Sequence, residues 1–339
     1  MADVLVVGAG LAGLVAATAL RGRGADVLLI DAGEQAGGRL ATRRLGGATL
    51  DDGAQFFTVR HADFAELVEC WQESGCPIGV WSHGFARAPS IASPPGAAEA
   101  QQDGHPRHIV RGGMQVLAAY LARGLGVRNA CRVVAVRARP GGWEARTRQG
   151  EALTAHAVVL TPPLPQALPL IAAETLIERA NTQLVADLRA VDYAPCLSLL
   201  AALDGAPGLP EPGGVQFDEG PVRFLADNAT KQISPEPALT VHAAEAFSRT
   251  RADERDEAIR EELLGLARPW LGGARVDRSE LTRWRYAQPS PPREERAVTL
   301  IAASPDEVGP LVLAGDAFAG AKVEGAALSG LAAAELLGR

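Results

Sequence analysis

The sequence predicts an α/β fold in which a Rossmann-like dinucleotide-binding domain is interleaved with a second, α+β domain built on a mixed sheet. Three observations point there. Residues 4–31 read as strand, glycine turn, helix and strand. Residues 311–337 read as strand, acidic residue and small-residue helix, more than 300 residues later. A chain of 339 residues that is 47% hydrophobic is long enough to bury one large core or two interleaved ones.

Val4 to Val7 is a short continuous apolar run, as expected for a parallel strand buried on both faces. Gly8-Ala9-Gly10-Leu11-Ala12-Gly13 follows, and Leu14 to Leu20 continues as a small-residue helix ended by Gly22 and Gly24. Val27 to Ile30 is a second buried strand closed by Asp31. Each part has a physical task. Gly8 permits a tight turn, Gly10 lets the backbone approach a pyrophosphate, and Gly13 lets helix and strand pack closely. The helix start offers unpaired N–H groups to the phosphates, and Asp31 stands where a carboxylate can accept both ribose hydroxyls.

Gly37-Gly38-Arg39 comes next and continues as Leu40-Ala41-Thr42-Arg43-Arg44, an element that nicotinamide dehydrogenases lack. A diglycine brings the chain close to a cofactor while a forked guanidinium grips phosphate oxygens. Asp51-Asp52-Gly53-Ala54-Gln55-Phe56-Phe57 reads as a turn whose bare backbone abuts a flat ligand. Residues 58–76 read as helical, 77–108 as a weakly patterned Pro/Gly/Ser-rich insertion, and Met114 leads into a helix to about Gly124. Strands are expected from Arg132 to Ala138, from Trp143 to Thr147 and from Ala157 to Thr161, then mixed elements over 165–275 with an amphipathic helix from Asp253 to Ala267. Leu311 to Ala314 is a buried strand, Gly315-Asp316 follows, and Val323-Glu324-Gly325-Ala326 opens the last helix. A ligand touched near both ends of the chain must be long, as flavin adenine dinucleotide (FAD) is.

Composition removes several classes. A net charge of −7 gives no footprint for nucleic acid or an anionic membrane. Apolar stretches are interrupted before the roughly 18 residues a membrane span needs. No secretory signal is visible, so a soluble cytoplasmic protein is the expectation. Cys70, Cys76, Cys131 and Cys196 lack zinc or redox spacing and read as idle thiols. His105 and His108 form an HxxH among turn residues, with no further ligand nearby to complete a metal site.

Taken together, GAGLAG with Asp31, then GGR, then GD before a glycine-led final helix, resembles the flavin-containing amine oxidase superfamily. Within it the likeness is to the renalase family, bacterial members above all. It is carried by GGRLATRR (37–44), DDGAQFFTVR (51–60), VHAAEAFS (241–248), RWRYAQP (283–289) and GDAFAGAKVEGAALSGLAA (315–333), and is thin over 77–108 and 165–215. Ala317 stands where that family's pattern expects an aromatic, and Lys322 where it expects arginine.

The resemblance implies a fold like those of the amine oxidases and p-hydroxybenzoate hydroxylase. The FAD-binding domain would take residues 1–76, 109–164 and 276–339, and the substrate domain 77–108 and 165–275. FAD would be held non-covalently. Gly8, Gly10, Leu11, Ala12 and Gly13 would cradle the pyrophosphate, Asp31 the adenosine ribose, and Gly38 and Arg39 the phosphates. Gly53, Ala54, Gln55 and Phe56 would lie by the flavin ring, with Val134 at the adenine and Thr161 nearby. Gly315 and Asp316 would meet the ribityl chain, and Val323, Glu324, Gly325 and Ala326 the flavin N1–C2=O edge.

The implied reaction is oxidation of 2- and 6-dihydro isomers of NAD(P)H to NAD(P)+ by hydride transfer to flavin N5, with O2 reduced to hydrogen peroxide. Such chemistry needs alignment over the flavin more than a strong acid or base. His242, Gln55, Trp284 and Asn228 are the candidate residues around it. His242 is a lone histidine on an otherwise apolar strand, which without the resemblance is more often a satisfied core residue. The alternatives are an FAD-dependent amine or porphyrinogen-type oxidase and a non-catalytic FAD- or NAD(P)-binding protein. The first is disfavoured by only three tyrosines, Tyr120, Tyr193 and Tyr286, none clearly paired. Partners would be the dihydronicotinamide dinucleotide and O2, with no nucleic acid and no membrane, in a monomer or dimer.

Overall fold

The expected N-terminal strand forms over Ala2–Val7, and its apolar run Val4 to Val7 is buried, as in parallel sheets covered on both faces. In the computed structural model, which describes residues 1–303 and 308–338, it pairs in parallel with Val27–Ile30 on one side and Ala152–Leu160 on the other. Ala152–Leu160 shares its second edge between two neighbours. Gly142–Thr147 runs antiparallel along its start, and Leu311–Leu313 runs parallel along its end. Val133–Arg139 and Val298–Ile301 complete seven strands. Helices Leu11–Gly22 and Val323–Leu337 pack together so tightly that a Cβ at Gly330 would overlap the Ala12 carbonyl oxygen. Small residues in both helices are what allow this.

These elements lie in one of two compact units, residues 1–38, 118–192 and 288–339. The other comprises 39–117 and 193–287. The fold is the mixed α/β class that the motifs predict, with its parallel Rossmann-like core in the first unit. These units divide the chain at residues other than those the resemblance implies, since 39–76, 109–117 and 276–287 cluster with the second unit and 165–192 with the first.

The second unit is built on another seven-stranded sheet, ordered Val276–Ser290, Asp192–Leu203, Ala238–Ala243, Val222–Asp227, Gly214–Glu219, Ala86–Ser90 and Glu99–Ala100. The weakly patterned stretch 77–108 therefore supplies strands, including Ile78–Ser82 paired with Arg107–Val110. Its alternation is real but faint: Ala86 and Ala88 are buried while Arg87 and Pro89 are exposed. Alanines on the inner face are too small to stand out as an apolar period.

Period-two alternation sorts this sheet into two faces. Leu199, Leu225, Leu239 and Val241 pack with Ile259, Leu263 and Trp270 around the helix Asp256–Ala267. On the opposite face Leu200, Ala202 and Ala238 meet Leu45, Ala48 and Leu50 of the hairpin Thr42–Leu45 and Ala48–Asp51. His242 and Thr240 share that second face, and it is where the site lies. Among the described residues, no helix is long and apolar enough to cross a membrane.

Candidate functional site

In the first unit the glycine turn is shaped by the protein and, at one position, by something else. Gly8 has φ +100°, and a Cβ at Gly13 would overlap the Gly8 carbonyl oxygen. Both glycines are therefore required by the fold itself. Gly10 differs, because a Cβ there would meet nothing within 4 Å. It is the N-cap of Leu11–Gly22 and offers no side chain to the first-turn N–H groups of Leu11, Ala12 and Gly13, leaving bare backbone facing open space. Thr161 Oγ1 donates to the carbonyls of Val7 and Gly8 at 3.1 and 3.0 Å, so its hydroxyl ties the turn to the neighbouring strand. Asp31 Oδ2 accepts from Ala9 N–H at 2.6 Å and Oδ1 from Gly33 N–H at 2.7 Å. Gly38 comes close to Gly10, while the Val134 side chain is exposed on its strand.

The C-terminal element of this unit repeats the pattern. Gly315 has φ +130° and donates its N–H to Ser329 Oγ at 2.8 Å, and Asp316 beside it is buried. The helix that begins at Val323 has no capping side chain, carries Glu324 in its first turn, and is spliced to the preceding loop by a Gly325 that has no room for a Cβ against Gly320. Ala326 donates to the Lys322 carbonyl at 3.0 Å as the first helical bond. Two uncapped helix starts, glycine-shaped turns and a carboxylate at a strand end fit a dinucleotide such as FAD. None of the four cysteines lies in the 315–333 segment.

In the second unit all four candidate reaction residues converge on one turn. Gln55 Nε2 donates to the carbonyls of Asp51 and Gly53 at 2.7 and 3.2 Å. His242 Nε2 lies 3.2 Å from the Asp52 carbonyl oxygen, and Trp284 Nε1 donates to that same oxygen at 3.1 Å. Asn228 Oδ1 accepts from Asp51 N–H at 3.3 Å, while its Nδ2 donates to Thr240 Oγ1 at 2.9 Å. Asn228 is fully buried, so its amide is spent on holding the turn to the sheet. Gly53 leaves no room for a Cβ against the Arg39 carbonyl, and Ala54 N–H donates to that oxygen at 2.9 Å. Arg39 Nη1 donates to the carbonyls of Tyr286 and Ala287 at 3.0 and 3.3 Å.

Charge at this turn is neutralised internally. Asp51 Oδ2 is 2.6 Å from Lys231 Nζ, with both side chains wholly buried, and Asp51 Oδ1 accepts from Thr42 Oγ1 and Met114 N–H. Asp52 Oδ2 accepts from Arg43 and Thr282, each at 3.0 Å. Burial pushes the His242 imidazole below its usual value, partly opposed by Asp52. Its flank is aromatic: Phe224 lies opposite His242 in the sheet register and packs with Phe85, Phe56 and Trp81 at centroid distances of 5.1 to 6.3 Å. Beside this cluster opens a cavity of about 360 Å³ lined by Trp81, His83, Phe85, Gln101 and Pro212.

Two features escaped the sequence reading. Tyr193 and Tyr286 are paired after all, edge to face at 5.7 Å, because register brings together strands about 90 residues apart in the chain. Lys231 was the other, and its signal was rarity, since it is one of only two lysines in the chain.

Comparison with known proteins gives consistent matches. Residues 68–337 match the family described as flavin containing amine oxidoreductase, and residues 6–71 match the NAD(P)-binding Rossmann-like domain. A cyclohexylamine oxidase from Brevibacterium oxydans IH-35A superposes with a TM-score of 0.73 at 16% identity, covering 99% of this chain and 98% of that one. A provisionally named protoporphyrinogen oxidase from Exiguobacterium sp. 255-15 gives 0.72 at 13% identity over 98% of each chain. A wild-type putrescine oxidase bound to putrescine gives 0.71 at 16% identity, covering 100% of this chain and 99% of that one. At these identities the likeness is one of fold. A hydroxyneurosporene desaturase of Rubrivivax gelatinosus is 46% identical over 57 residues, 17% of this chain and only 11% of that protein's length.

Proposed function

Since the chain belongs to the flavin containing amine oxidoreductase family, we propose that it is an FAD-dependent oxidase taking hydride from a carbon bonded to nitrogen, with an amine or porphyrinogen-type substrate. The observation that carries this reading is the turn at 51–55, where each carboxylate has a cationic partner and burial lowers the one imidazole below its usual value, making it a weaker base. A site of that kind is poorly equipped to pull a proton from carbon. It suits a substrate whose own nitrogen lone pair expels hydride to form C=N, with alignment supplying much of the rate.

Bound FAD would supply the two-electron acceptor. The glycine turn and Asp31 would hold its pyrophosphate and ribose, with Gly315, Asp316 and the start of Val323–Leu337 at the ribityl and flavin end. In the second unit Arg39 would take phosphate, and Gln55 and Phe56 would border the ring. His242 and Trp284 would then orient the substrate, and the aromatic cluster would exclude water from it.

Two sets of observations bear on the substrate. The amine reading is supported by the fold neighbours named for cyclohexylamine and putrescine and by the Tyr193–Tyr286 pair. The second reading, renalase-type oxidation of dihydronicotinamide isomers, is supported by the five segments 37–44, 51–60, 241–248, 283–289 and 315–333. The test is anaerobic mixing of the yellow protein with cyclohexylamine, putrescine and, separately, partially isomerised NADH. Bleaching by an amine is the expected result. Bleaching by the isomers alone would replace the first reading by the second, and colourless protein that takes up no FAD would end both.

A further inference from the structure

Among the described residues, three other than glycine have a left-handed backbone: Ala130 at φ 52°, Gln232 at 64° and Ala319 at 56°. A Cβ crowds the following carbonyl in that region, a cost glycine escapes, and such strain persists only where surrounding contacts hold it. Ala319 stands out by position. It lies between Asp316 and the start of Val323–Leu337, the two elements that would meet the flavin end of FAD.

What holds it is a neighbouring stretch of the same unit. Ala319 N–H donates to the Glu295 carbonyl at 3.0 Å, and Arg293 N–H donates to the Ala317 carbonyl at 2.7 Å. Between these two rungs Arg293 pairs in parallel with Phe318, which is fully buried. The stretch is closed on itself, because the Arg293 guanidinium takes both Glu295 carboxylate oxygens at 3.1 and 2.6 Å. Inside the loop Phe318 N–H donates to the Gly315 carbonyl at 3.1 Å, and Lys322 N–H to the Gly320 carbonyl at 2.9 Å. Gly320 then meets Gly325 so closely that no Cβ fits there. The placing of Ala319 is thereby passed directly to the first turn of the helix.

We propose that residues 293–295 are a clamp for the flavin end of the cofactor: by holding Ala317 and Ala319 they preset Asp316 and the uncapped helix start before FAD binds. The clamp rests on the reading that FAD is the cofactor, and it holds whichever substrate is oxidised. A preset loop loses little freedom when the ligand arrives, which favours binding. It also keeps the helix N–H groups aimed where negative charge gathers on reduced flavin. Loss of the clamp should therefore weaken FAD, lower its midpoint potential and leave the adenosine end untouched.

The test titrates full-length apoprotein with FAD and, separately, with ADP, which carries the adenosine and pyrophosphate without the flavin. Arg293→Pro removes the N–H donated to Ala317, whereas Arg293→Ala keeps it and removes only the side chain. FAD affinity should fall about three- to tenfold in Arg293→Pro, the scale of one hydrogen bond lost, and by less in Arg293→Ala. ADP affinity should stay at the parent's value in both, and the potential of FAD-saturated Arg293→Pro should fall. Adding Ala319→Gly to Arg293→Pro lowers the cost of the left-handed conformation and should restore part of the FAD affinity. Parent-like FAD affinity or potential in Arg293→Pro, an equal loss of ADP, or no restoration by Ala319→Gly would overturn the clamp. Should Arg293→Pro fail to fold, hydrogen exchange in the parent decides. The Arg293 and Ala319 amides should be protected before FAD is added, and exchange there at unstructured-peptide rates would sink the proposal. Parent protein that takes up no FAD would end the cofactor reading and the clamp with it; FAD held equally by parent and Arg293→Pro would end the clamp alone.

Discussion

The carboxylate of Asp31 binds two N–H groups of its own unit, Ala9 and Gly33, and so is fixed in place before any ligand arrives. Asp31→Ala should weaken FAD binding by about 1–3 kcal/mol, the scale of a charge-assisted hydrogen bond, in a titration of apoprotein. Unchanged affinity would remove Asp31 from the ribose. His242 makes a different kind of prediction. Its pKa is depressed by burial, as is that of His108, which stacks on Phe57 and faces the charge of His83. The unfolded chain then binds more protons than the folded one below about pH 6.5, so stability falls as pH drops through that value. Urea midpoints at about pH 7.5 and about pH 5.5 should differ less in His242→Asn than in the parent. Equal differences would mean that His242 is protonated as readily folded as unfolded. Cys196 adds a third outcome. Burial, reinforced by the negative charge of Asp52, pushes its thiol up to about 12. In native protein at neutral pH iodoacetamide should modify the exposed Cys70 and spare Cys196, as read by peptide mass.

At the scale of elements, the glycine turn separates what the fold needs from what the ligand needs. Gly13→Ala forces a Cβ into the Gly8 carbonyl and should destabilise the apoprotein strongly. Gly10→Ala meets open space with φ near −69°, so apoprotein stability should change by less than about 1 kcal/mol. FAD affinity should nonetheless drop, because the added methyl stands where the backbone must approach phosphate. Denaturant midpoints and FAD titration of the two variants check this; a Gly10→Ala protein that binds FAD normally would place the pyrophosphate elsewhere. The contrast also explains which elements were legible in the sequence. The strand–turn–helix of residues 2–22 and the end-to-end match of 311–337 write their geometry in local glycines and apolar runs. Strands such as Ala86–Ser90 write theirs in small residues and in pairings to distant strands, and a single stretch of sequence holds too little contrast to show them.

Across the whole molecule, the site of the second unit is assembled from residues 51–55, 228–242 and 282–284, brought together by sheet register. No spacing rule links them, which is why Gln55, Asn228, His242 and Trp284 were reachable only through family resemblance, and Lys231 only through its rarity. The cofactor elements of the first unit were legible without it, because backbone chemistry at helix starts depends on a few contiguous residues. One consequence concerns how FAD is retained. The elements around Gly8 and Gly315 offer N–H groups, glycines and carboxylates, and the 315–333 segment contains no cysteine, so attachment by a thioether there has no donor. Acid or heat precipitation should therefore release all the flavin into the supernatant, measured by its absorption, with none left on the pellet. Non-covalent retention would also tie the fold to ligand concentration. Free FAD at about a hundred times its dissociation constant should stabilise the folded chain by about 2.7 kcal/mol, seen as a rise in melting temperature that grows with added FAD. Flavin that stays with the denatured protein, or a melting temperature indifferent to FAD, would show that retention does not work this way.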